Sequence, residues 1–60
     1  MFYFIRWLVP GHGPRGSQSF ATLRACRNYA RRAMYAHPSW GWEIVEHLGS
    51  AQTVIDTKEA

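Results

Sequence analysis

Residues 19–37 read SFATLRACRNYARRAMYAH, the one long helical pattern in the chain, and everything else is arranged around it. Ser19 is the expected N-cap, because its hydroxyl can accept a hydrogen bond from a free amide of the first turn. Pro38 ends the helix by biasing His37 away from helical geometry. At about 100° per residue, Leu23, Cys26, Ala30, Ala33, Met34 and His37 fall on one arc, widened by Tyr29, Ala25 and Ala36. The small side chains there let the helix approach a sheet closely. Arg24, Arg27 and Arg31 recur at three- and four-residue spacing on another arc, with Asn28 and Tyr35 beside them and Arg32 further round. No acidic residue lies in this stretch. The plainer account is a solvated face whose arginine stems cover apolar surface. The functional account is an anion-facing surface. It gains weight because six of the seven cationic residues are arginine, whose guanidinium makes forked contacts to phosphate and carboxylate.

Outward from the helix, residues 2–9, FYFIRWLV, form an aromatic and branched run bounded by Pro10-Gly11, which reads as a strand. Tyr3, Ile5, Trp7 and Val9 alternate with Phe2, Phe4, Arg6 and Leu8. Both sets are largely apolar, as in an interior strand or one whose second face meets a partner. After the helix, residues 42–48 and 53–57 make a hairpin around Gly49-Ser50. Trp42, Ile44, Glu46 and Leu48 share one face of its first strand, and Glu43, Val45 and His47 the other. Residues 58–60 are expected to fray. The order β-α-β-β predicts an α+β fold of two layers, one helix on a three-stranded antiparallel-type sheet. Which sheet face the helix covers is open at this level. The other face, carrying several of Phe2, Phe4, Trp40 and Trp42, is expected to stay bare, which in a small protein signals a partner or a dimer.

Residues 10–18, PGHGPRGSQ, read as a loop. They contain the spacing G-x-G-x-x-G at Gly11, Gly13 and Gly16. A dinucleotide site needs a long parallel βαβ unit and an acidic residue about 20 positions on, whereas the first acid here is Glu43. A Walker loop fails because Ser17 stands where the lysine belongs. A looser expectation is that backbone amides and Arg15, near the helix N-terminus, hold a phosphate. A flexible connector is the simpler alternative.

The 60 residues make one domain, 1–60. The nine aromatics and a hydrophobic content of 47% argue against disorder, and a core this small makes a dimer or partner plausible. The formal charge is +3, but residues 1–40 hold all six arginines and no acid. Residues 41–60 hold Glu43, Glu46, Asp56 and Glu59 against Lys58 alone, which suggests a bipolar molecule turning one side to an acidic partner. The single Cys26 excludes an internal disulfide and fits a reducing compartment. The run at residues 2–10 lacks a basic leader, contains Arg6 and is too short to span a bilayer, so a cytoplasmic protein without a membrane is expected. Cys26, His12, His37 and His47 lack metal-ligand spacing, and no pair of groups forms an acid–base or nucleophile pair. No enzyme, cofactor or metal is therefore expected. Arginines on a helix face, Arg15 and exposed aromatics are general ingredients of nucleic-acid binding.

The aromatic first strand, the Ala/Arg helix and the closing hairpin WEIVEHLGSAQTVID resemble small phage and mobile-element proteins. In architecture and size the chain is similar to small anti-CRISPR proteins directed at type I surveillance complexes. That resemblance implies a single α+β domain that binds a host complex stoichiometrically and blocks DNA recognition without catalysis. Expected contact residues, read from the charge pattern, are Arg15, Arg24, Arg27, Arg31, Arg32 and Tyr35. The expected partner is an acidic protein surface of a host complex or nucleic acid, with homodimerisation through the aromatics or a structural role as the further alternative.

Overall fold

The structure is a computed structural model and describes residues 1–13 and 15–59. It is an α+β fold: β1 (Phe2–Leu8), β2 (Arg15–Phe20), α1 (Leu23–Ala36), β3 (Gly41–Leu48) and β4 (Ala51–Lys58). The strands form one antiparallel sheet in the order β2-β1-β3-β4. Four strands replace the three expected, because the segment taken as a loop supplies β2. Its sequence RGSQSF has little strand propensity, and backbone pairing to the otherwise free edge of β1 makes it a strand.

The β1–β2 connection begins with a turn dictated by two residues. Pro10 supplies the fixed φ of the second position and Gly11 the positive φ (79°) of the third, and the His12 amide donates to the Val9 carbonyl at 3.0 Å. This is a type II turn. At the other hairpin, Gly49 (φ 62°) is the first of two loop residues between the paired Leu48 and Ala51, as the II′ form requires.

β2 also displaces the helix start. Ser19 lies opposite Phe4 in the sheet, and Phe20 opposite Tyr3, so Ser19 does not cap the helix. Thr22 does: its backbone is extended and its Oγ1 accepts from the Ala25 amide at 3.2 Å. The far end follows expectation. His37 is the C-cap, its amide donating to the Ala33 carbonyl at 2.9 Å, and Pro38 follows.

Cross-strand partners share a sheet face, so the register sorts the side chains. One face carries Phe20, Tyr3 and Glu46 in a row, then Ile5, Ile44 and Asp56, then Arg15, Trp7, Trp42 and Lys58. The helix packs on this face. Tyr3, Ile5, Trp7, Cys26, Ala30 and Ile44 form the buried cluster, with Phe20, Leu23, Ala33, Trp40 and Trp42 packed against it. Ala30 is fully buried, and its lack of a longer side chain permits the close approach. Burying each large aliphatic side chain here contributes roughly 1.5–3 kcal/mol. Of Phe2, Phe4, Trp40 and Trp42, several of which are expected on the bare face, Trp40 and Trp42 lie on the helix side. Trp40 meets Trp7 edge-on at 5.8 Å and stacks on His37 at 3.7 Å, and the Trp42 indole N–H donates to Met34 Sδ at 3.4 Å.

Lys58 is not frayed: it pairs with Trp42 in the sheet, and its Nζ donates to the Trp40 carbonyl at 3.1 Å. Pro14, part of the predicted loop, and Ala60, part of the predicted frayed end, lie outside the described residues. Among the described residues no helix is long and apolar enough to cross a membrane.

Candidate functional site

Two surfaces stand out, on opposite sides of the sheet. The first is the outward side of α1. Arg24, Arg27, Arg31, Arg32 and Tyr35 are all exposed, Tyr35 at 86%. Arg24 and Arg31 lie about 10.5 Å apart along the axis at 1.5 Å per residue, with Tyr35 one turn beyond Arg31. Arg27 differs from its neighbours. It sits on the flank of the helix toward β4, and its Nε donates to Asp56 Oδ2 at 3.2 Å. Asp56 is fixed in turn by the Thr57 amide, which donates to its Oδ1 at 2.9 Å. Among the described residues Arg24, Arg31 and Arg32 have no ion pair.

Arg15 is not brought to the helix N-terminus. It opens β2 opposite Trp7, at the end of the sheet where Trp40 and His37 pack. The helix begins beyond the other end of β2. The glycine pattern is likewise dispersed: Gly11 makes a turn, and Gly16 lies within β2 opposite Arg6. Among the described residues no phosphate cradle joins Gly11 and Gly16.

The second surface is the sheet face away from the helix. Its rows are Phe2, His47 and Gln52; then Ser19, Phe4, Val45 and Val54; then Gly16, Arg6, Glu43 and Thr57; and Leu8 beside Gly41. Val45 is 1% exposed, Phe2 37% and Val54 46%. The Phe2 ring lies edge-on to His47 at 4.5 Å and tilted to Phe4 at 6.4 Å. Arg6 Nη1 donates to Glu43 Oε1 at 3.3 Å, both groups partly exposed, so this pair adds at most about 1 kcal/mol. The alternation of β1 signals this face; the contribution of Val54 emerges only from its register with Val45.

The two halves of the chain are not the two poles of the molecule. Arg6–Glu43 and Arg27–Asp56 tie the basic half to the acidic half. Polarity instead separates the sheet faces. The helix side holds Arg15, Arg24, Arg27, Arg31, Arg32 and Lys58 against Glu46 and Asp56, whereas among the described strand residues the charged groups of the open face are Arg6 and Glu43. The helix-side arginines and the open-face aromatics are therefore not parts of one site.

Cys26 is buried in the core, and that burial pushes its thiol above the ordinary value of 9.0. It packs in the core, and a thiol raised in this way keeps its proton at neutral pH. Among the described residues no cluster of His, Cys, Asp and Glu gathers that could hold a metal ion. Comparison of the chain with family models, with curated proteins and with solved structures finds no match.

Proposed function

We propose that the protein is a non-enzymatic binding protein of the host cytoplasm. It docks the outward face of α1 on an anionic protein surface of a nucleic-acid-processing defence complex and inhibits it stoichiometrically. The observation that carries this reading is the trio Arg24, Arg31 and Arg32: exposed, on one helix, and without a carboxylate partner among the described residues. Structural carboxylates neutralise Arg6 and Arg27 instead. Unpaired guanidinium groups beside an exposed tyrosine suit the anchoring role that Arg and Tyr take at interfaces. The resemblance to small anti-CRISPR proteins supplies the class of target.

The test is a tagged pull-down from a bacterial host that carries such a complex, with and without nuclease, using the wild type and the triple variant R24E/R31E/R32E. The expected result is a defined multi-subunit complex retained after nuclease by the wild type and lost by the variant, whose far-UV circular dichroism is unchanged. Retention by the triple variant would place the contact elsewhere.

A second reading, direct DNA or RNA binding through the same residues, is favoured by Tyr35, whose exposed ring one turn beyond Arg31 can stack on a base. Nuclease would then remove the captured material, and affinity for a short duplex or single strand would fall steeply with salt as counterions cease to be released.

A further inference from the structure

We infer that the open sheet face is the interface of a homodimer, in which two copies pack back to back with their helices outward. Its occupant is a second copy because the face is complementary to itself. β1 and β3 are the two central strands, and a two-fold axis parallel to them runs down the middle of the sheet. Rotation about that axis lays β1 of one copy over β3 of the other. The rows of Phe4 and Val45 then lie over one another, with Phe4 rather than the covered Val45 supplying the accessible surface, and Arg6 faces the second copy's Glu43, since each pair is in register within one chain. One cation and one anion thus recur as two crossed ion pairs, and every contact occurs twice, as an isologous interface demands.

Charge excludes the same axis on the other side: the helix side carries six cations against two carboxylates and repels a copy of itself. Edge pairing is disfavoured as well. Both edge strands are irregular, with register shifts opposite Ile5 in β2 and at Ile55 in β4, and bulges of this kind blunt an edge against adding another strand. The area is sufficient. Strands of 7 and 8 residues in a four-stranded sheet span roughly 25 Å by about 19 Å. Two such faces bury on the order of 1,000 Å², the lower end of specific interfaces, so the dimer forms in a concentration-dependent way.

The experiment is sedimentation of the full chain from low micromolar to millimolar concentration, beside the variants V54K and R31E. Val54 is half-exposed on the open face, so V54K keeps the fold, which circular dichroism verifies, but sets a lysine in each half of the interface. The expected result is a mass rising from one chain to two with concentration. V54K should move the midpoint upward by at least about tenfold, and R31E should leave it in place. A monomer at every concentration overturns the inference. So does a dimer that V54K leaves intact. Because R31E lies on the helix side, loss of host-complex binding by helix variants and loss of dimerisation by V54K are separate outcomes.

Discussion

At the scale of single residues, the same chemistry serves different ends according to what each side chain faces. Arg27 and Arg31 are one turn apart, yet Asp56 holds the first and the second is left to solvent. Thr22 and Ser19 are both fair caps by composition, but the sheet takes Ser19 through its register with Phe4. Thr22→Ala should therefore cost about 1 kcal/mol of stability, and Ser19→Ala only a few tenths, as read by urea denaturation; equal losses would contradict the observed cap. Cys26 supplies a pH dependence. Burial raises its folded value above the 9.0 of the free thiol. Below pH 9 both folded and unfolded chains keep the proton, and the group adds no slope. As pH rises from about 9 toward the folded value, only the unfolded chain releases it, so the unfolded state binds fewer protons and stability falls. Cys26→Ala should flatten the alkaline limb of a stability-against-pH curve relative to the wild type. An identical limb in the variant would show that the thiol does not contribute.

At the scale of elements, the strands and helix differ in how openly the chain declares them. β1 and α1 follow from apolar periodicity, because each buries a recurrent set of side chains: Tyr3, Ile5 and Trp7, then Cys26 and Ala30; the β3–β4 hairpin follows from its Gly49-Ser50 turn, with Ile44 and Val45 buried on opposite faces. β2 carries no such set. Phe20 is its one apolar residue and packs against the core, and its pairing to β1 rests on backbone hydrogen bonds that no residue pattern records. The arginine face of α1 was legible as a row, but its interruption at Arg27 depends on Asp56, 29 residues away. Likewise Arg15 is near the helix start in sequence, but the extended β2 carries it to the other end of the sheet, opposite Trp7. The helix–sheet approach gives a prediction at this scale. Ala30 is fully buried between α1 and the sheet, so Ala30→Leu must push the elements apart and should cost about 1–3 kcal/mol. Ala25→Leu, on an exposed position of the same helix, should change stability little. Comparable thermal melts for both variants would contradict the packing described.

At the scale of the whole molecule, the sheet separates two problems that a 60-residue chain has to solve together. A domain of this size buries only about 60% of its unfolded surface and is marginal alone. The helix covers one face of the sheet, and the other keeps Phe2, Phe4, Leu8 and Val54 in partial contact with water. The helix arginines lie on the far side from that face, so covering it would leave the proposed binding surface free. Back-to-back association would remove the marginality and present two arginine helices in opposite directions. It also makes stability depend on concentration, because a partner that binds only the folded chain stabilises it by mass action. The wild-type melting temperature should therefore rise as protein concentration rises through the dimerisation range, and that of V54K should rise less over the same range. For a domain of this length each kcal/mol gained is worth about 4–8 °C, so differential scanning calorimetry resolves the difference. A wild-type melting temperature that does not move with concentration would mean that the helix-side core alone sustains the fold and that the open face is held in water without a second copy.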